Sequence, residues 1–477
     1  MTLSSKRFWW LVAVAGLGAG CATKRPPDQA ELAKEALANA QPPAQWRAGA
    51  VTGSVQNDWI AVFADPVLTR LVAEALSYNN DLRASAARVE QAAAGVRIAG
   101  AQALPAVDLL GRFGGKMGGD GSGLNGWVVS ASWELDLWGR VRYARRSAED
   151  QYASTEADFA AARQSIAALV AKSWFLATEA ALQRQLARQM LGSSEQSVQL
   201  AGQRQRVGVG SDVDVAQAQV NRQTFADAER QLDLSYTKAV RSLELLLGRY
   251  PAAELQTTEA WPRVDFAVAA GVPSELLERR PDIVAAHRRV AAAFNRAGEA
   301  QVARLPRLTL TAGISSISSD MFVMQERPDP LGSVGLSLLA PLFNAGALKA
   351  QAEARAAEQK QATAVWAQTA LRAFSEVETA LSEEATLRQR EPIIEAQTRD
   401  SQRVLDLQNV RYRVGSTDLR TVTQQQLAVY SVRSTMLRVQ AERRVQRVNL
   451  LLALGGGFSA EPAIASVPPS QQQASQP

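Results

Sequence analysis

Val129-Ser130-Ala131-Ser132-Trp133-Glu134-Leu135-Asp136-Leu137-Trp138-Gly139 alternates, residue by residue, between apolar and polar side chains up to Leu137. Successive side chains of a strand point to opposite faces. Val129, Ala131, Trp133, Leu135 and Leu137 therefore share one face, and Ser130, Ser132, Glu134 and Asp136 share the other. Such a strand needs oil or core on one side and water on the other. Upstream, Val107, Leu109, Gly111 and Phe113 alternate with Asp108 and Arg112, and the glycine-rich stretch Gly114 to Gly126 reads as an exposed loop between the two. The pattern predicts strands at about 104–115 and 126–138. Each has the ~10 residues that a tilted strand needs to cross a bilayer.

After the second strand the period changes. Residues 140–207 are rich in Ala, Gln, Arg and Glu, which favour helix, and Ile166, Val170, Trp174, Ala177 and Ala181 recur at helical spacing. No proline lies between Pro105 and Pro251. A helix of this length spans roughly 100 Å and needs neighbours along all of it, as in coiled coils. Gly208 ends it as a C-cap, and a return helix begins near Asp212, a good N-cap residue.

The chain then repeats itself. With an offset of 201, residues 81–109 lie over 282–310 without a gap, and nine of the 29 positions are identical: Asp81, Ala84, Arg88, Val89, Ala92, Ala99, Leu104, Pro105 and Leu109. With an offset of 207, Arg204-Gln205-Arg206-Val207-Gly208 lies over Arg411-Tyr412-Arg413-Val414-Gly415, and Gly139 over Gly346. The second copy predicts strands at about 306–317 (Leu308, Leu310, Ala312, Ile314) and 333–343 (Val334, Leu336, Leu338, Ala340, Leu342), with a polar loop over 318–332. Its long helix, 347–414, carries Phe374, Val377 and Leu381; Pro392 should kink or break it. Gly415 ends that helix, and the return helix begins near Thr417.

The organisation is thus an N-terminal segment over 21–67, a first repeat over 68–248 with helices at 68–103, 140–207 and 211–248, and a connection over 249–280. A second repeat covers 281–455, with helices at 281–304, 347–414 and 418–454. The tail, 456–477, is rich in Pro, Ser and Gln and reads as disordered.

Composition closes several functional classes. The 477 residues include one histidine, His287, and one cysteine, Cys21, too few for a His/Cys metal site or a Ser-His or Cys-His pair. His287 reads as a helix-surface residue without a role. No enzyme, metal or cofactor is expected. The 52 Lys and Arg are interspersed with 47 carboxylates, which is a solvated surface and not a nucleic-acid face. Lys6 and Arg7, followed by an apolar run from Phe8 to Gly20, read as a signal peptide over 1–20. Gly18-Ala19-Gly20-Cys21, with Leu17 before it, resembles a bacterial lipobox, which implies acylation of Cys21. No later run reaches ~18 apolar residues, so a membrane can be crossed only as a closed barrel. Four strands cannot close one, since bacterial barrels need about eight. If these strands lie in a membrane and are not a small soluble sheet, an oligomer must pool them.

Three stretches resemble one family. Trp59, Phe63, Asp65-Pro66, Leu68, Leu71-Val72, Ala75-Leu76, Asn79, Asp81-Leu82 and Ala87-Arg88-Val89 form its opening pattern. Trp133-Glu134-Leu135-Asp136-Leu137-Trp138-Gly139-Arg140 and Val272-Pro273-Ser274-Glu275-Leu276-Leu277-Glu278-Arg279-Arg280-Pro281-Asp282-Ile283 are more specific. The chain resembles the outer-membrane channels of tripartite efflux pumps, in the NodT and OprM-like lipoprotein branch related to TolC.

The resemblance implies a mainly α fold with a membrane β-barrel: a homotrimer whose 12-stranded barrel continues as an α-helical periplasmic tunnel. An equatorial belt would come from residues 28–65, 249–275 and the C-terminal end. The chain would be a lipid-anchored outer-membrane duct. It would be opened by a periplasmic membrane-fusion adaptor that links it to an inner-membrane, RND-type transporter. The tips Val207-Gly208-Val209-Gly210-Ser211 and Val414-Gly415-Ser416 match the adaptor-docking regions. The family's closing contact falls on Tyr412 and Asp214, a phenol donating to a carboxylate. Positions that hold aspartates in relatives hold Thr421 and Gln424 here, and Asp418 stands nearby. Helix N-terminal capping is an equal account of Asp212, Asp214 and Asp418. Two other classes stay open at this level: a periplasmic coiled-coil adaptor lipoprotein, which would carry a lipoyl-like β domain, and an envelope hydrolase, which would need a cleft with paired carboxylates.

Overall fold

The computed structural model describes residues 23–49, 53, 55, 59–112, 124–258, 260–261, 268–319 and 330–457. The signal peptide, Cys21, most of both strand-connecting loops and residues 458–477 of the tail lie outside the described residues.

The two copies fold alike, element for element. Helix α1 (Gln29–Ala36) precedes them. The first copy holds α2 (Pro66–Tyr78), α3 (Asn80–Ala101), β1 (Ala106–Arg112), β2 (Leu124–Leu135), α4 (Arg140–Arg206) and α5 (Asp212–Leu246). The second holds α6 (Leu276–Arg279), α7 (Pro281–Val302), β3 (Arg307–Ser319), β4 (Leu331–Leu339), α8 (Ala347–Arg413) and α9 (Leu419–Ala453). The three longer helices of each copy match in length: 22 residues in α3 and α7, 67 in α4 and α8, 35 in α5 and α9.

Two local differences from the sequence expectations have clear causes. The helix read over 68–103 is two, because Asn79 is extended (ψ 126°). Its Oδ1 caps α3 through the N–H groups of Asp81 and Leu82, while its Nδ2 donates 2.9 Å to the Leu246 carbonyl. Helix α8 runs unbroken through Pro392; a proline removes one donor, and the surrounding turns hold the helix.

The chain divides into two compact units. One joins the N-terminal residues to Gln41 with Ala86–Asp158 and Asp282–Ala370; the other joins Pro42–Ser85, Phe159–Pro281 and Leu371–Pro477.

The first unit carries a four-stranded antiparallel sheet in the order β1-β2-β3-β4. Its register stacks like upon like. Val107 pairs with Ala131, Ala131 with Ala312, and Ala312 with Val334. Trp133, Leu310 and Leu336 form a second apolar row, and Leu135, Leu308 and Leu338 a third. The opposite face holds Asp108, Ser130 and Ser333 in one row and Glu134, Thr309 and Ser337 in another. Val107, Leu109, Val334, Leu336 and Leu338 are exposed. One face of the sheet is thus mainly apolar and uncovered, and β1 and β4 each keep an open edge.

Where β2 meets α4, Asp136 accepts from the N–H groups of Val141 (3.1 Å) and Arg142 (3.0 Å), capping the helix. Glu134 and Arg140 form a bidentate pair at 2.8 Å. Against α4, α7 presents small residues: Gly298 lies under the Tyr143 ring, where a Cβ would come within 2.7 Å.

In the second unit Trp59, Phe63, Leu68, Leu71, Trp174, Phe175, Leu243 and Leu247 form the core, with Phe63 and Phe175 5.2 Å apart. Asp65 caps α2 through Val67 and Leu68, and accepts from the Trp174 indole at 2.8 Å. One window of α4 is apolar enough for a membrane span by composition, but half of it is buried; it is a core segment.

Candidate functional site: the hairpin tips and the N-terminal attachment

The second unit contains the tips of two glycine-tipped hairpins, α4–α5 and α8–α9. Gly208 (φ 77°) and Gly415 (φ 80°) are left-handed, which glycine adopts without a Cβ penalty. Val209 N–H donates to the Arg204 carbonyl and Gly208 N–H to the Gln205 carbonyl; Ser416 and Gly415 do the same to Arg411 and Tyr412. These are Schellman C-caps, built identically at the two ends of the 207-residue repeat. The return helices are capped by Ser211 and Asp418, one residue from each expected position. Ser211 and Asp214 form a reciprocal capping box (3.1 and 3.2 Å). Asp418 accepts from the N–H (2.9 Å) and hydroxyl (2.6 Å) of Thr421, and those bonds hold its carboxyl below the usual range.

Val207 is 73% exposed, Val209 62% and Val414 75%. Three valines on adjacent turns, with nothing apolar over them, make an unburied apolar tip. Gln424, in the second turn of α9, is exposed.

The expected hydrogen bond between Tyr412 and Asp214 is not formed within the chain. Asp214 turns its carboxylate to the Ser211 N–H. Tyr412 is 4% exposed, and its hydroxyl has no hydrogen-bond partner among the described residues. Burial pushes its phenol above the ordinary value, the Asp214 charge adds to this, and Arg204 opposes it. The capping box competes for the carboxylate, and it wins because it satisfies two exposed helix-end groups at once.

Sequence reasoning missed what joins the two hairpins. Arg204 places its guanidinium 4.9 Å from the Tyr412 ring centre. It donates to the carbonyls of Tyr412 (3.1 Å), Arg413 (3.4 Å) and Val209 (3.3 Å). Deeper in, Asn221 donates to Gln426 at 2.7 Å, and Gln426 to the Ser197 hydroxyl at 3.2 Å. Phe225 and Tyr430 pack edge to face at 5.4 Å. The available signal was Asn221 standing between Ala218 and Phe225 at apolar-face spacing, a polar residue where helix periodicity demands a buried one.

Cys21 lies outside the described residues, but its neighbours do not. Lys24 N–H donates to the Tyr143 hydroxyl at 2.9 Å, Arg146 donates to the Thr23 hydroxyl, and Thr23 packs on Gly139. The N-terminus is therefore tied to the junction of β2 and α4. His287 is half-buried, with Nε2 3.3 Å from the Pro27 carbonyl, so it helps seat the same segment. Among the described residues no cluster of His, Cys, Asp and Glu could hold a metal ion.

A duplicated chain of long helical hairpins carrying an amphipathic, open-edged sheet defines a membrane-channel subunit. The comparisons give the family. A profile described as "Outer membrane efflux protein" matches residues 71–249 and 272–456, one segment per repeat. The pyoverdine export outer membrane protein OpmQ of Pseudomonas aeruginosa is 32% identical, over 96% of this chain and 98% of that protein. The solved outer-membrane channel OprN is 26% identical and superposes with a TM-score of 0.81, over 92% of this chain and 99% of that one. The open state of the Neisseria gonorrhoeae MtrE channel is 25% identical, with a TM-score of 0.78 over 92% and 100%. The chain belongs to the outer membrane efflux protein family: outer-membrane channels of tripartite pumps, extending into the periplasm. The adaptor alternative finds no support, because the matched relatives are channels.

Proposed function

We propose that three copies of the chain form one passive exit duct, a 12-stranded barrel in the outer membrane continued by a helical tunnel. The sheet carries this reading. It has one mainly apolar face, an opposite face that carries the polar rows, and two open edges. Unpaired edge groups are intolerable in hydrocarbon, so β4 of one copy pairs with β1 of the next until the wall closes. The apolar rows face lipid and the polar rows face the lumen. No step is catalytic, and no cofactor is used.

Cys21 is acylated in this reading. Thr23, two residues on, sits at the strand-to-helix junction, so the acyl chains and the barrel enter the same leaflet. The exposed valines of the tips receive a periplasmic adaptor, which brings an inner-membrane transporter of RND type; Gly208, Gly210, Ser211, Gly415 and Ser416 shape that surface. Asp214, Tyr412, Asp418 and Gln424 stand at the gate. The Tyr412 hydroxyl, buried without a partner, is the group whose satisfaction changes when the tips rearrange.

Leu336→Arg tests the barrel. A guanidinium on the lipid face costs about 2–4 kcal/mol near the bilayer midplane. Heat-resistant trimer should vanish from outer-membrane fractions for Leu336→Arg and persist for Ser337→Arg, one residue along on the polar face. Equal assembly of the two variants would refute the lipid-facing assignment.

Asp214→Ala tests the gate. Conductance of the purified trimer in planar bilayers should rise, whereas Ser211→Ala, which loses the cap at a cost of about 1 kcal/mol but keeps the carboxylate, should conduct as the parent does. A closed level unchanged in Asp214→Ala removes Asp214 from the gate.

A further inference from the structure

We infer that Arg411 of one subunit clamps the tip of the next, donating to the Gln205 and Arg206 carbonyls and pairing with the Asp212 carboxylate. The inference rests on the trimeric reading above and assigns one of its contacts.

Six hairpins in a ring of three chains meet at two kinds of seam. One lies within a chain, between hairpin α4–α5 and hairpin α8–α9, and it is visible. The other lies between chains. The 207-residue repeat relates the two: the side of the first hairpin that faces its own partner corresponds to the side of the second that faces the next chain. Every residue at the visible seam therefore names one at the hidden seam.

Arg204 names Arg411, and its acceptors Tyr412 and Arg413 name Gln205 and Arg206. The exposure pattern agrees. Tyr412, Asn221, Gln426 and Leu419 are buried at the visible seam, and Arg204 is half-buried. Their counterparts Gln205, Ala428, Gln219, Asp212 and Arg411 are all exposed. Among the described residues the Arg411 side chain makes no hydrogen bond or ion pair. Its backbone nonetheless repeats the Schellman geometry of Arg204, since the Arg411 carbonyl accepts from Ser416 N–H at 2.9 Å. The guanidinium is thus launched from the same position on an equivalent helix end, where unpaired carbonyls attract a cation.

The seams are not chemically equal. Gln205 replaces the Tyr412 ring, so the aromatic face is lost. The buried bond between Asn221 and Gln426 has no counterpart, because Ala428 would face Gln219. In exchange, Leu419 is replaced by Asp212, whose carboxylate already accepts from Gln205. The hidden seam is held by an exposed ion pair instead of buried packing. It is the weaker and more salt-sensitive of the two, and the one at which neighbouring tips part.

Two measurements on the full-length, detergent-purified protein test this. The first cross-links Arg411→Cys/Asp212→Cys with a short bis-maleimide, with the parent protein, which carries only Cys21, as background. Covalent dimers and trimers on denaturing gels are expected. Monomer bands alone, from a protein that native mass spectrometry shows to be trimeric, would overturn the clamp and leave the trimer standing. Monomeric mass in the parent protein would instead sink the trimeric reading. The second is a charge exchange. Arg411→Glu should raise planar-bilayer conductance about two- to fivefold, and Arg411→Glu/Asp212→Lys should return it toward the parent level. No rise, or a rise that the second substitution leaves intact, refutes the pair.

Discussion

Glu384→Leu is expected to lower the unfolding free energy by about 3–5 kcal/mol. The Arg447 guanidinium lies 2.7 Å from Glu384, with side-chain exposures of 1% and 9%. Taking two charges out of water is costly, and their close contact, with further hydrogen bonds, offsets it. Without Glu384, Arg447 remains charged, because guanidinium does not release its proton in proteins. Arg388, 3.8 Å from the same carboxylate, loses its partner too. Glu384→Leu/Arg447→Leu removes both charges and should cost far less than the single change. Denaturant unfolding of the detergent-solubilised protein would measure the cycle. A single change costing under about 1 kcal/mol, as exposed pairs do, would show that water reaches the pair.

Glu244→Ala should follow in size, at about 3 kcal/mol, for a different reason. Glu244 is 2% exposed near the end of α5, yet it forms no close ion pair among the described residues. Its carboxylate accepts from the N–H groups of Ala253 (2.7 Å), Glu254 (2.8 Å) and Leu255 (3.0 Å), pinning the chain as it leaves the first repeat. Ala253 is held there at φ 63°, a strained value for alanine. Removing the carboxylate leaves three inward-facing donors without an acceptor. Burial alone would raise the Glu244 pKa, but the three N–H groups and then Arg249 bring it below the ordinary value. A carboxyl depressed in the folded state stabilises fully at neutral pH. That contribution fades as pH falls below the unfolded glutamate value, about 4.3. The melting-temperature gap between the parent and Glu244→Gln should therefore be wide at pH 7 and narrow below about pH 4. A gap that stays constant with pH would mean that the ionised form is not what holds the turn.

Much of the architecture was legible because it is periodic. Alternation in 129–137 marked the strands, helical spacing in 140–207 marked the long helix, and offsets of 201 and 207 paired the elements of the two copies, with equal lengths in the three longer helices. Glycines at 208 and 415 marked the tips because a left-handed residue must end each long helix. Asn79 and Pro392 escaped that reading for opposite reasons. One breaks a helix through a side-chain bond to a residue 167 positions away, and the other sits in a helix that its neighbours hold together.

Among the proposed gate residues, Tyr412 and Asp214 came from the family resemblance, which did not give their contacts. Whether Asp214 turns to Tyr412 or to Ser211 depends on a capping geometry that exists only once the tip is folded. Arg204 and Arg411 are identical in type and copy position, yet one is half-buried against a ring and the other exposed.

The order of residues by itself determined the duplicated unit, the amphipathic strands, the long helices and the glycine tips. The strands, helices and tips follow from patterns within a few turns of chain, and the duplication from residue identities at a fixed offset. Only the tertiary structure decided what each buried polar group meets: the Glu244 turn, the Glu384–Arg447 ion pair, the Arg204 clamp and a Tyr412 hydroxyl left without a partner. Periodicity says which face of an element is buried. The partner that each buried polar atom meets depends on where distant elements come to rest, and no local pattern encodes that.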